Sequence, residues 1–194
     1  MTVIAEAIVL ICTFEGYERR LPDGRAAPYL CPARVATIGF GSIWRLDGTR
    51  VTLADPPITR VEALARLGDE VSRKCETAVA RHITVLLHPL MHGALVSWTY
   101  NLGAGALAGS TLKRVVNARQ WDRVTAEFRK WRMAKGVVLA GLVRRREAEA
   151  AMFIRGVRAI ALGTPPPAES AWLAPGEWHT IITREPGWPD APAP

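Results

Sequence analysis

Residues 4–17, IAEAIVLICTFEGY, decide the fold, because an apolar helix face ends there in an acid followed by a glycine. The apolar residues of this face recur at helical spacing: Ile4, Ile8, Ile11 and Cys12. Glu15 shares the face, and we expect its carboxylate to be partly desolvated, which suits a proton donor. The structural alternative is a helix-end glutamate paired with an arginine, and helix position alone favours that alternative.

Beyond this helix the residue composition and pattern of the chain change twice. From about residue 17 to 58, Gly and Pro punctuate short runs, and Asp47-Gly48 has the signature of a tight hairpin, so we predict a two- or three-stranded antiparallel sheet. Thr59 and Glu62 then form a capping box for a helix that runs to about His82, with a break near Gly68. Further helices are predicted at about 92–102, from Ser110 onwards, at 121–130 and at 142–162.

Size and composition limit the class of protein. The chain has 194 residues with 49% apolar side chains, enough for a sizeable core, and no apolar run reaches the roughly 18 residues of a membrane span. The first residues carry no basic stretch or cleavage site, so we expect no secretory signal. Three cysteines favour a protein made in a reducing compartment. Residues 161–194 are rich in Pro and Trp, and we interpret them as a tail outside the folded domain.

Positive charge is concentrated in one segment. Residues 113–158 hold 13 Lys/Arg and 4 Asp/Glu, whereas the residues before them are close to neutral. A segment of this kind attracts polyanions, whether nucleic acid, an anionic membrane or another polymer. The alternative is a solvated helical surface without a partner.

No metal site is predicted. His82, His88 and His92, with Cys75, lack the paired close spacing of a zinc motif, so we interpret them as surface or core histidines.

Three separated blocks carry a family resemblance. The first comprises FEGY (14–17), PYLCPA (28–33) and TIGFG (37–41); the second comprises ALVSWTYNLG (94–103) and GSTL (109–112); the third is GVVLAGLVRRREAE (136–149). In this order they resemble the phage-type lysozymes, the endolysins of glycoside hydrolase family 24, over about residues 4–153.

This resemblance implies an α+β, lysozyme-like fold of two lobes around a glycan-binding cleft, mostly helical with a small antiparallel sheet in the N-terminal lobe. We therefore expect a catalytic domain over residues 1–160, with a sheet lobe at about 14–58 and a helical lobe at about 59–160. The family's proton donor maps to Glu15, and its water-positioning threonine maps to Thr37. Asn101 resembles a cleft-lining polar position, and we expect it to contact substrate. The run Arg144 to Arg146 resembles a family helix in which an arginine braces the lobe, and direct substrate contact by Arg145 is the alternative. No cofactor or metal is implied.

The sequence departs from the family pattern at three places. Cys31 stands where many members carry the second carboxylate, although some members share Cys-Pro-Ala. Ser42 replaces a usual histidine, and extra residues at 20–26 bring in Asp23 as a possible substitute carboxylate. An Asp-Gly pair is more often simply a turn.

The resemblance implies an endolysin, a muramidase that cleaves the β-1,4 bond between N-acetylmuramic acid and N-acetylglucosamine in peptidoglycan. A lytic transglycosylase and a non-catalytic basic protein that binds peptidoglycan or nucleic acid are the alternatives. We expect a monomer that binds glycan strands, binds no nucleic acid and does not insert stably into membranes. It would stay in the host cytoplasm until a separate membrane-permeabilising protein releases it to the wall.

Overall fold

The computed structural model describes residues 5–164, which form two compact units. One consists of residues 15–70, and the other of residues 5–14 together with 71–164. Met1 to Ile4 and all but the first four residues of the predicted tail lie outside the described residues.

The unit of residues 15–70 contains a small sheet and one helix. Strands β1 (Tyr29–Leu30) and β2 (Ala36–Thr37) pair antiparallel, with Tyr29 opposite Thr37. The Asp47-Gly48 turn forms as predicted, because the Arg45 amide donates to the Thr49 carbonyl at 2.9 Å, but a single bridge rather than a full strand pair flanks it.

Helix α2 (Arg60–Glu70) begins at the predicted capping box. The Thr59 amide donates to Glu62 Oε2 at 2.7 Å, and the Glu62 amide donates to Thr59 Oγ1 at 3.2 Å. Gly39 lies against this helix with φ +62°, and a Cβ at that position would fall 2.7 Å from the Cβ of Ala63. Only glycine permits both the backbone conformation and this close approach.

The helical run continues from α2 to His82, as expected, but its irregularity is not at Gly68. Gly68 is buried within α2, and Val71–Glu76 instead form a π-helical segment before helix α3 (Thr77–His82).

The second unit is built around a buried central helix. Helix α1 (Ala5–Glu15) precedes it in the chain, and α4 (Pro89–Leu102) is buried at every position from Met91 to Thr99. The remaining helices are α5 (Ala104–Gly109), α6 (Thr111–Asn117), α7 (Trp121–Arg129) and α8 (Ala140–Ala161). Gly103 is the single residue between the end of α4 and the start of α5. Ser110 caps α6 as predicted, because its Oγ accepts from the Lys113 amide at 3.0 Å.

Helices α4 and α8 approach each other closely. A Cβ at Gly156 of α8 would lie 2.6 Å from Met91 Cγ and 3.0 Å from the Met91 amide nitrogen. The large side chains that fill this unit without exposure include Trp98, Phe128 and Phe153. A mostly helical chain with small antiparallel sheets confirms the predicted α+β class.

A hairpin absent from the sequence prediction separates α7 and α8. Strands β3 (Met133–Ala134) and β4 (Val137–Val138) pair antiparallel around Lys135 and Gly136, both of which have positive φ. Across residues 5–164, no helix combines the length and apolar character needed to cross a bilayer.

Candidate active site

Glu15 is the last residue of α1, where Gly16 (φ +74°) ends the helix. Its side chain is half-buried, and a Cβ at Gly41 would lie 3.8 Å from Glu15 Oε2. The loop backbone therefore passes beside the carboxylate at a residue without a side chain.

The loop that carries Gly41 is held in a tight turn. Ile38 and Ser42 exchange backbone hydrogen bonds at 3.0 and 3.1 Å, and Gly41 has φ +90°. Phe40 is buried, with its ring 5.1 Å from that of Tyr17. This packing fixes the loop that follows β2 next to the end of α1.

Cys31 and Thr37 lie on the β1–β2 hairpin. Cys31 begins the turn after β1, and its amide donates to the Val35 carbonyl at 3.0 Å. The pKa of the Cys31 thiol is lowered, first by the Val35 amide, then by the Ala33 amide and the Thr37 hydroxyl, while partial burial opposes the shift. The turn therefore favours the thiolate, and Thr37, which is 3% exposed, donates its hydroxyl to the Val35 carbonyl at 2.9 Å in the same hairpin.

Tyr29 joins these groups electrostatically, although the sequence analysis did not single it out. Burial raises the pKa of the Tyr29 phenol, and the negative charges of Glu18, Cys31 and Glu15 raise it further. Three acidic groups therefore lie within electrostatic reach of one phenol. The available sequence signal was the position of Tyr29 two residues before Cys31, where side chains of a strand point to the same face.

Asp23, the possible substitute carboxylate, lies in an exposed turn between Leu21 and Arg25. Its carboxylate accepts from Arg25 Nε at 2.8 Å, and this contact lowers the pKa of Asp23. The side chain is thus engaged in its own turn.

Asn101 and Arg145, the expected substrate contacts, belong to the other unit and share a buried network there. Arg145 is 3% exposed: its Nε donates to Glu149 Oε1 at 3.2 Å and its Nη2 to the Ser97 carbonyl at 3.3 Å. Asn101 Oδ1 accepts from Arg146 at 3.0 Å.

Glu149 is the centre of this network. It is completely buried and accepts from Ser97 Oγ at 2.8 Å as well as from both neighbouring arginines. Burial lowers the pKa of Arg146 to about 10. Arg145 also lies 5.6 Å from the ring of Phe14, the residue before Glu15. Its guanidinium therefore packs near the Phe14 ring within the same unit.

Two of the histidines occupy structural positions: His88 caps a helix and His92 lies in the core. His88 Nδ1 accepts from the Leu90 amide at 3.2 Å and caps α4. His92 is 3% exposed, and burial lowers its pKa to about 4. Within the described part of the chain, no three His, Cys, Asp or Glu side chains group as metal ligands.

The chain is similar to known proteins over most of its length. The phage lysozyme family model matches residues 14–149. The endolysin of Bacillus phage B103 is 34% identical over 156 residues, which cover 80% of this chain but 55% of that protein, so the chain spans about half the length of that relative.

Two further relatives are matched over nearly their full length. An endolysin of Acyrthosiphon pisum secondary endosymbiont phage 1 is 31% identical over 79% of this chain and 98% of its own. The solved endolysin from Escherichia coli O157:H7 phage FAHEc1 is 32% identical, with a TM-score of 0.69 over 79% of this chain and 94% of that one. A family match over residues 14–149, relatives above 30% identity and a shared fold lead to one conclusion: this chain belongs to the phage lysozyme family.

Proposed function

We propose that this chain is an endolysin with muramidase activity, which hydrolyses the β-1,4 bond between N-acetylmuramic acid and N-acetylglucosamine in peptidoglycan. The observation that carries the proposal is the Glu15 carboxylate at the end of α1, beside the Gly41 backbone and in the same unit as Cys31 and Thr37. The family match and the endolysin relatives support the same activity.

In this proposal Glu15 protonates the glycosidic oxygen as the bond to the departing sugar breaks. A water then adds to the anomeric carbon, and its proton leaves to a base, so that two hydroxyl-ended fragments result. Thr37 and Cys31 hold that water by hydrogen bonds. The lowered thiol pKa makes Cys31 a better acceptor than an ordinary thiol, which compensates in part for the missing carboxylate.

Arg145 and Asn101 have different roles in this scheme. Because Arg145 is buried among Glu149, Ser97 and Phe14, we assign it to positioning rather than to direct sugar contact. Asn101 is half-buried and remains the proposed substrate contact of this pair.

The basic segment would attract the anionic wall from a distance. Of its 13 cations, Arg145 and Arg146 are buried, whereas most others are exposed. We further propose that the protein acts from the host cytoplasm after another protein permeabilises the membrane.

The experiment is digestion of purified sacculi followed by mass spectrometry of the fragments. Reducing ends are expected from hydrolysis, and Glu15→Gln should lower the rate by about 10²- to 10⁴-fold because it keeps the volume and removes the proton. Glu147→Gln is the control and should stay near the native rate, because Glu147 lies in the other unit, about half exposed and paired with Arg129. Ends of the 1,6-anhydro type would identify a transglycosylase, and native activity in Glu15→Gln would contradict the assignment.

A further inference from the structure

The β3–β4 hairpin, defined here as residues 132–139, exposes several apolar side chains that are neighbours in the chain. All of its residues are exposed, and three of them are at least half exposed: Met133 (54%), Val137 (60%) and Val138 (50%). Leu139 follows at 43%. Isolated exposed apolar residues are ordinary, but a contiguous apolar patch marks an interaction site.

The register of the hairpin makes it apolar on both faces. Met133 pairs with Val138, and Ala134 pairs with Val137. Directly opposed residues share a face, and successive residues of a strand alternate between faces. One face therefore presents Met133 and Val138 and the other presents Ala134 and Val137.

The base of the hairpin is anchored. The Trp131 ring packs edge-on against the buried Trp98 at 5.1 Å, and Arg129 donates to both Glu147 oxygens at 2.7 and 2.8 Å. The Leu139 amide donates to the Arg132 carbonyl at 3.1 Å and closes the hairpin. A firmly held base with an uncovered tip presents the apolar side chains in a fixed orientation.

The charge around the hairpin has one sign. No Asp or Glu occurs from Phe128 to Arg146, and Lys135 occupies the turn itself. Arg132 and Arg144 are exposed nearby. Apolar side chains combined with surrounding cations match the chemistry of an anionic lipid surface, with hydrocarbon beneath phosphate.

We propose that the β3–β4 hairpin inserts its tip between the headgroups of an anionic lipid surface and holds the protein there reversibly. A glycan or nucleic acid would cover one face and offers no hydrocarbon, whereas a lipid layer surrounds an inserted hairpin on both faces. This inference stands independently of the proposed muramidase activity.

The test is co-sedimentation of the full chain with vesicles, either pure phosphatidylcholine or equal parts phosphatidylcholine and phosphatidylglycerol. Binding is expected on the anionic vesicles. Met133→Gln/Val138→Thr alters one face and Val137→Thr the other, with side-chain shape nearly kept. We expect about tenfold weaker partitioning for the double variant and a smaller loss for Val137→Thr. Lys135→Gln should weaken it about fivefold.

Leu86→Asn and Leu162→Asn are matched controls, because these leucines are 81% and 80% exposed but lie outside the hairpin. Both should bind vesicles like the native chain, and circular dichroism should show that all variants are folded. Three results would overturn the proposal: no binding to anionic vesicles, equal loss in the leucine controls, or sensitivity to Lys135 alone with both apolar variants unaffected. Hairpin variants that lose affinity for sacculi or self-associate less, with vesicle binding intact, would likewise refute it in favour of a wall-binding or dimer surface.

Discussion

Replacing Glu149 by glutamine tests whether the buried arginine network holds the helical unit together. Glu149 is completely buried, and the guanidinium groups of Arg145 and Arg146 both contact its carboxylate, at 3.2 and 3.0 Å. Glutamine keeps the volume and one acceptor oxygen. It removes the negative charge that both guanidinium groups contact.

The expected cost follows from burial. Arg145 and Arg146 are 3% and 0% exposed, so water cannot replace the lost carboxylate. Breaking a buried ion pair by removing one partner costs about 3–5 kcal/mol, because an uncompensated charge stays buried. For a chain of this size, that loss lowers the melting temperature by about 6–20 °C.

The assay is thermal and urea unfolding followed by circular dichroism. Glu147→Gln is the matched control on the same helix, since the Glu147–Arg129 pair is about half exposed, and it should cost at most about 1 kcal/mol. If Glu149→Gln costs no more than Glu147→Gln, the network does not carry the stability assigned to it.

Three further predictions concern the unit of residues 15–70. In sacculus assays, Cys31→Asp should match or exceed the native rate and Cys31→Ser should keep most of it, because either oxygen can hold water; complete loss in a folded Cys31→Ser would instead identify the thiolate as base or nucleophile. The hydrogen bond from Arg45 lowers the pKa of Asp55 from 3.8 to about 2, so its stabilisation is complete above about pH 4 and lost as the pH falls through about 2. Asp55→Asn should cost about 1–2 kcal/mol at neutral pH and flatten acid unfolding curves in that window; an unchanged curve would refute the pairing. Gly39→Ala should cost about 2–4 kcal/mol in urea unfolding, from positive-φ strain plus overpacking, whereas Gly48→Ala, with open space around it, should cost about 1 kcal/mol, and equal losses would exclude the packing argument.

Much of the local structure could be predicted from short stretches of sequence. The capping box of Thr59 and Glu62, the Ser110 cap and the Asp47-Gly48 turn all formed as expected. Each of these features depends on hydrogen bonds between residues at most four positions apart. The local sequence is therefore enough to predict them.

Elements whose apolar residues show no regular spacing were not predicted. The β3–β4 hairpin has strands of only two residues, too short for an alternating pattern, although Lys135-Gly136 was a usable turn signal. The π-helical segment at Val71–Glu76 leaves no mark in the apolar spacing, and the prediction placed the irregularity at Gly68 instead.

For the candidate site, the sequence by itself determined that Glu15 ends an apolar helix and that a small sheet follows, and the family resemblance mapped Cys31 and Thr37 onto the site. Tertiary structure alone decided what surrounds them. The burial of Arg145 depends on Ser97, 48 positions away, and the Gly41 backbone reaches Glu15 across 26 positions. A local sequence reports the propensity of a segment to form a helix or turn. It does not report which distant groups remove a side chain from water, and that removal fixes which charges pair and which side chains remain available to a substrate.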